Sequence, residues 1–144
     1  MEKIIIYTDG ASRGNPGPAA IGAAICDRKG NIIKTYSETI GRATNNEAEY
    51  QAVIFALKKI KALFGKEKVK KNSILIKSDS QLLVSQLTGK YKIKEDHIQK
   101  LFIQIWNLKI DFGEVNFESI PREENSKADS LANEALDNHP QPLL

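Results

Sequence analysis

Two acidic residues directly follow apolar runs of the sequence. Asp9 comes after the run Ile4–Thr8, and Asp79 comes after the run Ile74–Ser78. Both runs are rich in β-branched residues and predict strands. In open sheets with helical crossovers, ligands bind at the carboxyl ends of the strands. If the two strands are parallel neighbours, the two carboxylates stand side by side at that edge.

Two further acids come from predicted helices. Glu49 precedes Val53 by one helical turn, and Asp129 precedes Ala132 by three residues, so each acid projects toward the apolar stripe of its helix. A solvated helix would place its acids on the opposite face. Each acid taken alone is compatible with a helix cap or the edge of a solvated face. The set of four predicts one shared acidic pocket.

Such a cluster of carboxylates requires protons or cations to relieve its repulsion. Two unit charges 4 Å apart repel by about 4 kcal/mol at an effective dielectric constant near 20. Oxygen ligands without convergent Cys or His favour Mg²⁺ or Mn²⁺, and the single cysteine, Cys26, excludes an intrachain disulfide and a cysteine-based zinc site. Acid-only sites with two such ions typically activate water and stabilise the leaving oxygen in phosphodiester hydrolysis.

The elements that position these acids follow from the hydrophobic pattern. Apolar runs and turn signals predict strands over 3–8, 19–26, 32–40, 73–77 and 115–120, and helical periodicity predicts helices over 44–64, 80–87, 97–110 and 123–136. The first three strands are joined so closely that they must be antiparallel, whereas helical crossovers favour parallel pairing of the last two. The expected fold class is therefore α/β, a mixed five-stranded sheet flanked by helices. The lysine-rich segment before Ser73 is predicted as a loop, and Trp106 as a core residue.

Length and composition fit one globular domain. The chain has 144 residues, of which 41% are hydrophobic and 27% charged, and its net charge of +3 only weakly favours a polyanionic partner. No apolar run approaches the length of a membrane span, and the start of the chain reads as a strand and not as a signal peptide. We therefore expect a cytoplasmic protein without membrane contact, with one domain over residues 1–137 and a tail over 138–144.

Four motifs, in order along nearly the whole chain, resemble type 1 ribonuclease H. They are Tyr7–Ser12 with Gly14–Gly17, Thr44–Glu49, Ser78–Gln81 and Glu124–Ala132. The resemblance implies the ribonuclease H-like fold and an endonuclease that hydrolyses the RNA strand of an RNA/DNA hybrid, leaving 5′-phosphate and 3′-hydroxyl ends. It also implies two Mg²⁺ ions, with Mn²⁺ as a substitute. The catalytic and metal-binding acids would be Asp9, Glu49, Asp79 and Asp129.

The resemblance further implies a set of substrate-binding residues. Positions that contact the hybrid in its minor groove are matched by Asn15, Asn45, Asn46 and Gln81. Amides suit a 2′-hydroxyl because both groups donate and accept hydrogen bonds. A phosphate pocket for the DNA strand is matched by Arg42 and Thr44.

The sequence departs from the family pattern in two places. The segment Ile120–Asn125 lacks the histidine that many bacterial members carry before the last acid. The turnover rate and product release therefore stay open. Glu123 or Glu124 could partly substitute for that histidine. The segment Tyr91–Asp96 is too short for the basic, Trp-rich protrusion of many members, so we expect weaker and strongly salt-dependent hybrid binding.

Two other functions stay open on the same fold. One is a catalytically silent nucleic-acid-binding module, and the other is an integrase- or transposase-like domain that processes DNA. For the nuclease we expect a monomer with no obligate protein partner. Double-stranded RNA stays open as a second substrate.

Overall fold

The computed structural model describes residues 3–138, which form one mixed sheet with helices on both faces. The strands are β1 (Lys3–Ser12), β2 (Gly17–Cys26), β3 (Ile32–Ala43), β4 (Ser73–Ser78) and β5 (Glu114–Ser119). The helices are α1 (Asn45–Phe64), α2 (Lys66–Lys70), α3 (Gln81–Leu87), α4 (Asp96–Lys109) and α5 (Ser126–Asn138), and a 3-10 turn over Arg122–Asn125 precedes α5. The predicted tail, residues 138–144, lies outside the described residues except for Asn138, the last residue of α5.

The sheet has the strand order β3-β2-β1-β4-β5. Strands β1, β2 and β3 pair antiparallel, whereas β4 pairs parallel with both β1 and β5. The predicted fold class is therefore confirmed, including the change from antiparallel to parallel pairing. Within residues 3–138, no helix has the combination of length and apolar character that crossing a bilayer requires.

The main core lies between the sheet and the helices α1 and α4. Its buried members include Ile6 and Ile76 from the central strands, Val53 and Leu57 from α1, and Ile105 from α4. The opposite face of the sheet is covered by α5, where a smaller cluster joins Ala20 to Ala135 and Leu136. Helices therefore hold β1 from both sides, and both α1 and α5 can reach its end.

Two glycines allow these helices to approach the sheet closely. A Cβ atom on Gly10 would lie 2.2 Å from the main-chain carbonyl carbon of Ala48, and one on Gly22 would lie 2.2 Å from the main-chain oxygen of Ala128. Any other residue at these positions would push α1 or α5 outward. The next residue after each contact is an acid, Glu49 on α1 and Asp129 on α5.

The first strand is longer than predicted. It continues past Thr8 to Ser12 because β2 pairs with it as far as Ser12↔Ala19, although its parallel pairing with β4 ends at Tyr7↔Lys77. Asp9 therefore lies within β1, at the point where β1 loses β4 as a neighbour, and not after the end of the strand.

Two other predictions were wrong. The lysine-rich segment before Ser73 contains the short helix α2, which is anchored in the core by the fully buried Val69. Trp106 is 55% exposed and stacks on Phe102 at the surface, with the Lys109 ammonium above its ring.

Candidate active site

The register of the sheet brings Asp9 and Asp79 together. Tyr7 and Lys77 form the last residue pair between β1 and β4, and each acid lies two residues further along the chain. Because parallel neighbours run side by side, the two carboxylates emerge at the same edge of the sheet. Asp9 is only 6% exposed.

Helix α1 delivers Glu49 to the same edge. The helix begins with a capping box, in which the Thr44 hydroxyl accepts the main-chain N–H of Glu47 and the Glu47 carboxylate accepts that of Thr44. This cap satisfies the first turn and fixes where the helix begins. One turn later, Glu49 accepts the main-chain N–H of Gly10 at 2.5 Å, which ties its carboxylate to β1 beside Asp9.

Helix α5 delivers Asp129 from the opposite face of the sheet. Asn125, 1% exposed, donates from its side-chain Nδ2 to the main-chain oxygen of Thr8 at 2.9 Å. This buried hydrogen bond joins the residue before Asp9 to the residue one turn before Asp129. The start of α5 is thereby fixed against β1 at the level of the site.

The four acids meet in one open cleft of about 760 Å³. Asp9, Glu49 and Asp79 each offer a carboxylate oxygen, and these three oxygens lie within 4.8 Å of one another. Asp129 is outside that set of three, but it lines the same cleft, and its negative charge contributes to the raised pKa of Asp9. The structure thus brings together all four acids that the sequence singled out.

Burial and mutual repulsion make the cleft hold protons when no cation is bound. Burial, together with the negative charges of Asp79 and Asp129, raises the pKa of Asp9 to about 8, against the opposing effect of Arg122. Burial and then the charge of Asp9 raise the pKa of Glu49 well above its ordinary value, although the Gly10 N–H opposes this. A divalent cation would relieve the same repulsion, and three convergent carboxylate oxygens are the donors that Mg²⁺ and Mn²⁺ prefer.

The predicted substrate-binding residues divide into two groups by position. The cleft beside the acids is lined by Asn15, Thr44, Asn45 and Asn46. The two others lie nearby in the chain and are exposed, without being among the residues that line the cleft: Arg42 near the end of β3, and Gln81 at the start of α3.

Sequence reasoning missed several residues of the cleft. Arg122 and Asn133 both line it, as does Glu95 at the start of α4. Arg122 belongs to the segment Ile120–Asn125, whose departure from the family pattern is its missing histidine. Asn133 follows Asp129 by the four residues that place two side chains on one helix face. Glu123 and Glu124 are exposed and are not among the residues that line the cleft.

Comparisons with known proteins agree with this architecture. A family model described as reverse transcriptase-like matches residues 7–135. Ribonuclease HI of Halobacterium salinarum is 42% identical over 135 residues, which are 94% of this chain and 65% of that protein. The crystal structure of RNase H1 from this archaeon has a TM-score of 0.87, with 95% of this chain and 99% of that chain covered.

Two further relatives extend the comparison. The bifunctional protein Rv2228c of Mycobacterium tuberculosis is 40% identical over 136 residues, 94% of this chain. LC11-RNase H1, solved in complex with RNA/DNA hybrid, is 44% identical with a TM-score of 0.88, covering 94% of this chain and 97% of that chain. The chain spans 65% of the length of the Halobacterium protein and 36% of Rv2228c. The chain belongs to the type 1 ribonuclease H family, which confirms the resemblance stated from its motifs.

The raised pKa of Asp9 predicts how stability depends on pH in the absence of divalent ions. Folded Asp9 keeps its proton up to about pH 8, whereas the unfolded chain releases it near 3.8. The folded state therefore binds more protons between these values, and the free energy of unfolding should fall as pH rises from 4 to 8. Asp9→Asn should flatten this dependence and be more stable than the wild type at pH 8 by about 1–3 kcal/mol.

Urea denaturation in EDTA at several pH values between 5 and 8 measures this directly. The exposed Glu134 of α5 offers a control, since Glu134→Gln should leave the slope unchanged. Equal slopes for the wild type and Asp9→Asn would contradict the electrostatic account of the cleft.

Proposed function

We propose that this protein is a metal-dependent endonuclease that hydrolyses the RNA strand of RNA/DNA hybrids. The observation that carries the proposal is the convergence of carboxylate oxygens of Asp9, Glu49 and Asp79 within 4.8 Å, with Asp129 lining the same cleft. Membership of the type 1 ribonuclease H family supports the reaction, and the complex of the relative LC11-RNase H1 with RNA/DNA hybrid supports the substrate.

The four acids are the proposed ligands of two Mg²⁺ ions, with Mn²⁺ able to replace them. Asp9 would be the common ligand, because its carboxylate oxygen belongs to the set of three within 4.8 Å and it is also the acid whose pKa Asp129 raises through both its charge and its side chain. Bound divalent ions supply positive charge that lowers the pKa of the attacking water and stabilises the departing oxygen. In the reaction, water oxygen bonds to phosphorus as the bond from phosphorus to the 3′ oxygen breaks, which leaves a 5′-phosphate and a 3′-hydroxyl.

The residues around the acids contribute positioning. The sheet register sets the spacing of Asp9 and Asp79, and the Gly10 N–H holds Glu49, so the carboxylates are oriented before substrate binds. Arg122 lines the cleft and opposes the negative charge at Asp9. Its guanidinium is suited to paired hydrogen bonds with phosphate oxygens, so we assign it a contact with the reacting strand.

The asparagines of the cleft are suited to recognise a 2′-hydroxyl. Asn15 accepts the main-chain N–H of Asn45 through Oδ1 at 3.0 Å, which leaves its Nδ2 free to donate. Within the described chain, Oδ1 of Asn46 is buried and has no hydrogen-bond partner, so it lacks the donor that a buried amide oxygen ordinarily has. Amide side chains that line one cleft can supply both a donor and an acceptor, which matches a group that does both, as the 2′-hydroxyl of RNA does and the sugar of DNA does not.

The remaining proposed contacts extend from this centre. Gln81 follows Asp79 by two residues and is assigned to the minor groove, while Arg42 and Thr44, at the end of β3 and the start of α1, are assigned to phosphates of the DNA strand. Because Thr44 already caps α1 with its hydroxyl, its contact would share that oxygen between the helix and the substrate.

A panel of labelled substrates tests the proposed reaction. With Mg²⁺ or Mn²⁺ the protein should cut the RNA strand of a hybrid, and it should cut duplex DNA and single-stranded RNA far more slowly. Asp79→Asn should abolish cleavage while the protein stays folded, because the change removes one ligand charge and some repulsion without altering side-chain shape. Unfolding of this variant at room temperature would show that Asp79 is a structural residue.

The same panel separates the alternative functions. Binding of the hybrid without any cleavage would favour the silent module, and faster processing of duplex DNA would favour the DNA-processing domain. Cleavage that persists undiminished in excess EDTA would contradict the role assigned to the acids.

The recognition of the 2′-hydroxyl is tested by Asn15→Asp. This change keeps an oxygen that can accept the Asn45 N–H but removes the Nδ2 donor. We expect the KM for hybrid to rise at least about tenfold, because the variant loses a hydrogen bond of about 1.4 kcal/mol and its new negative charge repels the phosphates, with little change in thermal stability. Asn107→Asp, the same substitution on the exposed side of α4, is the matched control. An unchanged KM in Asn15→Asp would remove Asn15 from the substrate-binding set.

A further inference from the structure

Asn133 lies beside the acids of the cleft, just outside the motifs that carry the family resemblance. It follows Asp129 by one turn of α5 and lines the same cleft. Its side-chain Nδ2 donates to the main-chain oxygen of Asp129 at 3.0 Å and lies 3.3 Å from the carboxylate Oδ1 of that residue. One amide group thus contacts both the backbone and the side chain of Asp129.

The Asp129 carboxylate is contacted by Asn133 along the helix, and it lines the same cleft as Asp9. An aspartate side chain has two rotatable bonds, and the second of these has a broad energy minimum. A donor fixed at one oxygen narrows that minimum and sets the plane of the carboxylate.

An amide is chemically suited to this role because it is neutral. A lysine or arginine at the same place would cancel charge that a divalent cation needs, and a second carboxylate would repel Asp129. Asn133 donates a hydrogen bond while leaving the net charge of the cleft unchanged.

We propose that Asn133 is a positioning residue for Asp129, whose amide sets the orientation in which the Asp129 carboxylate meets a divalent ion or the reacting strand. The inference rests on the proposed function, since the orientation of Asp129 matters to the rate only if its carboxylate takes part in the reaction. Hydrogen-bond partners of metal-binding side chains commonly change metal affinity or activity by 10–100-fold when they are removed.

Kinetics of three substitutions at this position test the role. Asn133→Leu removes the donor at similar volume, and we expect kcat on the hybrid to fall about tenfold, with a higher Mg²⁺ concentration at half-maximal rate and a KM for hybrid within about twofold of wild type. Asn133→Gln retains the amide and should recover part of the lost kcat. Asn133→Asp places a like charge beside Asp129 and should be at least as impaired as Asn133→Leu.

A matched control and a stability measurement exclude a general structural effect. Asn107→Leu makes the same change on the exposed side of α4, away from the cleft, and should leave kcat unchanged. Thermal unfolding of every variant shows whether the fold is retained. If Asn133→Leu does not fold, the positioning role is tested by comparing the kcat of Asn133→Gln with that of Asn133→Asp, and equal kcat values would overturn it.

A spectroscopic measurement tests the contact without reference to activity. In ¹H–¹⁵N spectra of the full chain, the side-chain NH₂ signals of Asn133 should shift in Asp129→Asn. They should also shift on titration of the wild type with Mg²⁺, and that response should be reduced in Asp129→Asn. Signals that respond to neither change would overturn the proposal.

The kinetic outcomes distinguish failure of the proposed nuclease function from failure of the positioning role of Asn133. A wild-type protein that cuts no hybrid contradicts the proposed function, whereas the spectra still report on the contact between Asn133 and Asp129. An active wild type with Asn133→Leu within twofold of its kcat overturns the positioning role. A raised KM with unchanged kcat also overturns it, because Asn133 would then bind substrate instead of orienting Asp129.

Discussion

Repulsion among closely packed carboxylates is the constraint on which the site depends. Three carboxylate oxygens within 4.8 Å, with a fourth acid in the same cleft, repel each other most strongly where water is excluded. The rest of the fold must hold these side chains together against that force. A divalent cation would relieve the same repulsion that opposes folding of the ion-free protein, so one electrostatic feature links stability to the proposed chemistry.

Three features of the fold, all in contact with β1, hold the acids together against this repulsion. Parallel pairing fixes the spacing between Asp9 and Asp79, and the two helices reach the same point from opposite faces of the sheet. Gly10 and Gly22 let those helices rest directly on the strands, and the buried amide of Asn125 ties α5 to the backbone of Thr8. Because each acid is attached to an element of the packed core, the cleft can stay formed without its cations.

The sequence allowed the fold class and the set of four acids to be predicted, because both are encoded in local patterns. Asp9 and Asp79 follow apolar runs, and Glu49 and Asp129 lie on the apolar sides of helices. The extent of β1 could not be predicted in the same way. Its last residues have no local strand pattern, and they belong to the strand only because β2 pairs with them. Likewise, the five residues of α2 are too few to show a helical period, and only Val69 among them is buried.

Other details depend on contacts between side chains or on a stricter count of the helical period. Trp106 comes directly after Ile105, which belongs to the buried stripe of α4, and a step of one residue rotates a side chain by about 100° from that stripe. The exposure of Trp106 therefore follows from its position around the helix. The apolar residues near it in the sequence suggest burial only if that position is ignored. The four-residue spacing places Asn133 on the helix face of Asp129 but does not reveal their hydrogen bond, and the contact of Asn125 has no signal at all, because an asparagine is equally compatible with a cap, a solvated face or a buried hydrogen bond.

The central claim is that Asp9, Glu49, Asp79 and Asp129 together form a binding site for divalent cations. Anomalous diffraction from crystals of the wild-type protein soaked in Mn²⁺ tests it most directly. We expect an anomalous peak at about 2.1 Å from a carboxylate oxygen of Asp9 and at similar distance from Glu49 or Asp79. Anomalous peaks only at other places, in a protein that cuts hybrids in the presence of Mn²⁺, would contradict the account.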